Sequence, residues 1–142
     1  TFDDEAPDSL EPVAVIGGES PTKSVYDDAP DKKARERFKN LVTEIWWNLR
    51  ERFRKTHEAR NGIDTHPPDE QISIPDDSEL IAQLSTRRYD EVGGRKLKAE
   101  SKDQMAARGV ASPDKADSAV YAFADAVKPT SISFDQPAPQ IR

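Results

Sequence analysis

Apolar positions are sparse along the chain until about residue 31, after which Ala34, Phe38, Leu41, Val42, Ile45, Trp46, Leu49 and Phe53 recur at spacings of three and four. This is the period of an amphipathic helix and predicts one over roughly 31 to 57, with Asp31 as its N-cap after Pro30. Trp47 lies beside the stripe and widens it, while Arg35, Lys39, Arg50, Arg54 and Glu58 form the opposite, solvated face. Upstream, four prolines and many acids are interrupted only by Val13, Ala14, Val15 and Ile16, a short strand candidate closed by Gly17-Gly18. Downstream, residues 59–70 form a loop punctuated by Asn61-Gly62 and Pro67-Pro68. Gln71 to Ile74 alternates as a short strand stopped by Pro75, and Asp76 or Asp77 then caps a helix carrying Leu80, Ile81 and Leu84.

Thr86 to Glu100 reads as a hairpin turning at Gly93-Gly94, with so little apolar content that it is an edge or projecting hairpin. Lys102 to Arg108 forms a short helix ended by Gly109, and Ser112-Pro113-Asp114 opens a last helix reaching about Val127. Pro129 and Pro137-Ala138-Pro139 mark a loose tail, and no internal repeat occurs. The organisation expected is an acidic, Pro-containing arm with one short strand over 1–30, an α/β body over 31–127, and the tail over 128–142.

Composition narrows this picture. The chain has 142 residues, 35% hydrophobic and 34% charged, so it suits one modest domain with a solvated arm. With no cysteine there is no disulfide framework, no thiolate nucleophile and no cysteine zinc site, and an intracellular setting fits. No apolar run is long enough for a membrane span, and the N-terminus is acidic rather than signal-like. The net charge of −6 hides a segregation: residues 1–31 carry nine acids and one base, residues 32–60 ten bases and four acids. Any nucleic-acid contact would therefore be local rather than a property of the whole surface.

Candidate chemistry concentrates at Ser112-Pro113-Asp114-Lys115-Ala116-Asp117. Serine as N-cap, proline at the first helical position and an acid next make a good helix start, and the helix dipole alone accounts for Asp114. The functional alternative is that Asp114 and Asp117, three apart on one face with Ser118, Tyr121 and Asp125, present carboxylates to a divalent metal. Ala116, Ala119, Val120, Phe123 and Val127 make the buried side, so a metal there needs partners from another element.

Four blocks extend this reading: Phe38-Lys39-Asn40 with Glu44-Ile45-Trp46-Trp47-Asn48-Leu49-Arg50-Glu51; Ile74-Pro75-Asp76-Asp77-Ser78-Glu79-Leu80-Ile81-Ala82-Gln83-Leu84; Lys98-Ala99-Glu100-Ser101-Lys102-Asp103; and Ser112-Pro113-Asp114-Lys115-Ala116-Asp117-Ser118-Ala119. In this order over about 35–125, they resemble the C-terminal part of the nuclease domain of a tailed-phage or prophage terminase large subunit. The resemblance implies a partial ribonuclease H-like domain, a mixed sheet flanked by helices with one long amphipathic helix. It implies a metal-dependent endonuclease that cuts concatemeric viral DNA during packaging, with two Mg²⁺ or Mn²⁺ ions activating water and stabilising the leaving oxygen. It puts the last catalytic acid on Asp114, with Asp117 a second acidic position of the motif. It further implies double-stranded DNA, a terminase small subunit and a portal protein as partners, in the host bacterial cytoplasm.

The first two catalytic acids of that family have no counterpart here, and the ATPase phosphate loop is absent. Asp27 and Asp28 lie in a loop and are poor substitutes. Self-association, or pairing with a missing N-terminal half, is therefore expected. The competing reading is a non-catalytic DNA- or partner-binding remnant, in which Arg87, Arg88, Arg95, Lys96, Lys98 and Lys102 contact phosphates. Basic residues that protect a sheet edge are the alternative account of the hairpin. His57 and His66 lack a catalytic partner at motif spacing.

Overall fold

The computed structural model describes residues 15–124. A hairpin of β1 (Val25–Tyr26) and β2 (Ala29–Lys33) runs into the single-turn α1 (Ala34–Arg37) and then into α2 (Leu41–Arg60). There follow a 3-10 turn at Pro68–Glu70, α3 (Ser78–Thr86), the hairpin β3 (Tyr89–Val92) and β4 (Lys96–Ala99), α4 (Lys102–Ala107) and α5 (Asp114–Ala122). Both sheets are two-stranded and antiparallel, and one isolated parallel bridge joins Phe38 to Leu97 of β4.

The predicted long helix exists, but it begins at Leu41 and ends at Arg60 rather than spanning 31 to 57. Asp31 lies in β2, and the cap is Asn40, whose side chain accepts from the Thr43 N–H at 3.1 Å. The periodicity misled because Ala34 and Phe38 are buried before and at a break over 38–40, just as Leu41 is buried after it. Phe38 is extended (φ −113°, ψ 145°), and the Lys39 N–H donates to the Leu97 carbonyl at 2.8 Å, so tertiary pairing overrides helical continuation. The Phe38 ring is buried between Tyr26 and Trp47, with centroids 6.1 and 5.7 Å away.

The expected arm over 1–30 is, from residue 15 onward, folded against the start of α2. Carbonyls of Glu19 and Gly17 accept the N–H groups of Leu41 and Val42 at 2.8 and 3.0 Å, satisfying donors that a helix start leaves orphaned. Gly17 permits this approach, since a Cβ there would lie 3.1 Å from the Val42 Cβ. Glu44 is fully buried one turn later, its carboxylate accepting from the Thr22 N–H at 2.7 Å, the Thr22 hydroxyl at 2.6 Å and the Tyr26 hydroxyl at 3.1 Å. Of the strand expected over Val13 to Ile16, residues 13 and 14 lie outside the described residues and 15 and 16 are unpaired.

Gln71 to Ile74 is extended but is not a strand. Side chains of α2 satisfy its backbone instead: Thr56 Oγ1 accepts the Ile72 N–H at 2.8 Å, and Arg52 Nη1 donates to the Gln71 carbonyl at 3.2 Å. The hairpin is as expected, with Tyr89 opposite Ala99 and Val92 opposite Lys96. Its turn takes positive φ at Gly94 and Arg95 (77° and 60°). Helix α3 starts at the predicted Asp77 cap, which accepts from the Glu79 and Leu80 N–H groups. The core gathers Leu41, Ile45, Trp46 and Leu49 of α2 with Ile72, Leu80, Ala116 and Val120. The last helix was expected to reach Val127. It ends at Ala122, and residues 125–142, with Asp125, Val127 and the expected tail, lie outside the described residues.

Candidate functional site

Helix α5 is set in place by α3. Lys115 Nζ donates to Asp77 Oδ2 at 3.1 Å and pairs with Glu79 at 2.7 Å, and the Ala116 N–H donates to Gln83 Oε1 at 3.0 Å. The helix starts one residue later than Ser112 as cap would require: Pro113 is the cap, and its carbonyl accepts the Asp117 N–H at 2.8 Å. The Ser112 hydroxyl instead donates to Asp114 Oδ1 at 2.7 Å, holding that carboxylate while it remains 80% exposed.

Four of the residues singled out from the sequence converge here. Asp117 is only 13% exposed and lies between two cations, with Oδ1 3.6 Å from Arg87 Nη1 and Oδ2 2.9 Å from Lys102 Nζ. Lys102 Nζ is in turn 4.0 Å from Asp114 Oδ1. The hydrogen bond to Asp117 raises the Lys102 ammonium above the usual lysine range. Arg87 is not a surface phosphate contact: its side chain is 5% exposed, Nε donates to the Glu100 carbonyl at 2.8 Å, and Cζ lies 4.7 Å over the Trp46 ring. Burial pushes its guanidinium below the usual range, and the Asp117 charge offsets part of that.

Sequence reasoning missed a second support. Glu100, at the end of β4, is buried and receives Arg108 Nε on Oε1 at 2.6 Å and Nη2 on Oε2 at 2.8 Å, while Nη2 also reaches the Thr86 carbonyl at 2.6 Å. The Arg108 hydrogen bonds lower the Glu100 carboxyl to about 2. This fork ties the end of α3, the base of the hairpin and α4 into one joint, from which Lys102 projects. The only sequence cue was Glu100 beside the Ser101 cap of α4, with Arg108 at the other end of that helix.

The remaining basic residues are not drawn into the cluster. Arg88 is exposed at the hairpin base, Arg95 at its tip, and Lys96 and Lys98 are half-buried along β4. His66 does have a partner, which motif spacing concealed: its Nε2 is 2.6 Å from Glu58 Oε2, with Asp64 4.0 Å away. Glu58, Asp64 and His66 are the one group among the described residues with metal-like spacing, but Glu58 is already engaged by Arg54 at 2.8 Å as well. His57 bonds only within its own helix end, to Asn61.

The donor chemistry at Asp114 suits a hard divalent ion, which prefers oxygen ligands. The ligand count does not: Asp117 is engaged by two cations, so the described residues supply one free carboxylate and do not by themselves make a closed metal site.

The arrangement of helices and hairpins around this cluster has the fold of part of a terminase large-subunit nuclease domain. Solved structures that it is similar to include those of the large terminase subunit gp2 of bacterial virus Sf6. The nuclease domain of that protein matches with a TM-score of 0.63 and 26% identity over 74% of this chain and 49% of that one. A lysine-to-alanine variant of it with manganese and beta-thujaplicinol matches with a TM-score of 0.67 and 22% identity over 75% and 50%, and a variant with calcium with 0.64 and 23% over 74% and 49%. The chain thus spans about half the length of these structures. No family model matches the sequence, and no curated protein matches it closely. Among the described residues no helix is long and apolar enough to cross a membrane.

Proposed function

We propose that this chain is the C-terminal part of a terminase-type nuclease domain, contributing to metal-dependent phosphodiester hydrolysis on concatemeric phage DNA during packaging. The observation that carries this reading is the exposed Asp114 carboxylate with Lys102 beside it, at the start of a helix in a fold shared with terminase nuclease domains. Asp114 is the proposed metal ligand, Asp117 supports it from the next turn, and the remaining ligands come from outside the described residues. Variant structures among the neighbours were solved with manganese or calcium, which supports a divalent ion; Mg²⁺ or Mn²⁺ is the physiological choice in this reading. Such ions activate water and stabilise the leaving oxygen, while this chain's own residues orient Asp114 through Ser112 and hold an ammonium next to it. Double-stranded DNA, a terminase small subunit, a portal protein and the complementary half of the domain are the partners, and host bacterial cytoplasm is the location. The body of the domain over 31–127 carries the function.

A second reading has its own observation: exposed or half-buried basic residues at Arg88, Arg95, Lys96 and Lys98 of the hairpin suit a DNA- or partner-binding remnant. One experiment separates the two. Supercoiled plasmid incubated with Mn²⁺ and the chain joined by its complementary half is expected to be nicked, with loss of nicking in Asp114→Ala and with EDTA, and the chain alone is expected to nick weakly or not at all. Salt-dependent DNA binding without nicking, by a folded chain so joined, favours the remnant.

A further inference from the structure

Arg87 is the most constrained cation of the cluster. Its side chain is 5% exposed, its Nε is committed to the Glu100 carbonyl after β4, and its guanidinium lies over Trp46 of α2, so contacts from two elements fix the guanidinium. Yet Nη1 has no hydrogen-bond acceptor, and Asp117 is the only carboxylate within ion-pair distance among the described residues. A buried charge needs its partner, and removing the partner is costly. Asp117 therefore cannot swing out to a metal without stranding Arg87. Its other oxygen is taken by Lys102 Nζ at 2.9 Å, and Lys102 is otherwise 56% exposed on a long, flexible stem.

We infer that Arg87 and Asp117 form a positioning pair: the buried guanidinium anchors the Asp117 carboxylate, and that carboxylate holds the Lys102 ammonium beside Asp114 rather than ligating a metal itself. This rests on the reading of Asp114 as a ligand. It adds a division of labour in which one acid of the motif binds and the other steers. The held lysine pre-orients positive charge where a phosphate would approach Asp114, so loss of the pair disturbs geometry more than affinity.

The test is the motion of the Lys102 ammonium by ¹⁵N NMR in the full chain without metal, with exposed Lys23 as the reference. The wild type is expected to show a restricted Lys102 ammonium. Asp117→Asn and Arg87→Gln should each raise its mobility to that of Lys23. If Arg87→Gln does not fold, Arg87→Lys, which keeps charge but loses the fork, and Asp117→Asn carry the test. A Lys102 ammonium as mobile as Lys23 in the wild type, or unchanged in the folded variants, overturns the proposal. In nicking assays Asp117→Asn should lower kcat roughly tenfold, with the Mn²⁺ half-saturation moved less than about threefold. A rise of more than about tenfold in that half-saturation would make Asp117 a ligand and overturn the pair. If the wild type joined by its complementary half does not nick at all, the functional reading fails while the NMR result still decides the pair.

Discussion

A carboxylate in the first turn of a helix gains from the dipole whether or not it serves chemistry, so Asp114 and Asp117 could not be told apart by position. Their surroundings separate them: Asp114 is open to solvent, while Asp117 is gripped by Arg87 and Lys102. The same scale holds the pH response of the joint. Glu100 in the folded chain lies near 2, below its ordinary 4.5, so its pairing with Arg108 contributes fully above about 4.5 and is lost as the pH falls toward 2. Acid unfolding followed by circular dichroism should therefore show wild-type stability declining through that window. Glu100→Gln, already lacking the contribution, should be less stable at neutral pH and flatter below 4.5. Parallel curves would show that the fork is not coupled to folding.

Among the elements, those whose start and stop chemistry is local were legible in the chain: α3 from Asp77, the glycine hairpin, α4 from Lys102 to its end before Gly109. Elements defined by a distant partner were not. Phe38 breaks the long stripe because it pairs with Leu97 across the fold, and Gln71 to Ile74 stays unpaired because α2 side chains take its hydrogen bonds. The site follows the same division. Asp114, Asp117 and Lys102 were legible as residues, but Arg87 read as a phosphate contact until burial showed it to be an internal cation, and Arg108 was legible only as the end of α4, not as the partner of Glu100. The placement of the α2 cap is open to direct test. Asn40→Ala should cost about 1 kcal/mol in denaturant unfolding. Asp31→Ala, in exposed β2, should change stability by less than about 0.5 kcal/mol. The reverse ranking would restore the longer helix.

Across the whole molecule the acidic total conceals a basic hairpin, in a fold that corresponds to about half of the terminase nuclease structures it matches. If Arg88, Lys96 and Lys98 track a phosphate backbone, replacing any one by Ala should weaken binding to unrelated duplexes alike and lower the slope of log affinity against log salt by about 0.9. An unchanged slope would leave them as edge protection. In the proposed function, divalent metal chemistry belongs to Asp114 and not to the Glu58, Asp64 and His66 group. Paramagnetic broadening of backbone amide signals by substoichiometric Mn²⁺ compares the two centres in one titration. Signals of residues 112–118 and Lys102 are expected to broaden first, and Asp114→Ala to abolish this. Broadening centred on residues 58–66, with 112–118 untouched, would contradict it.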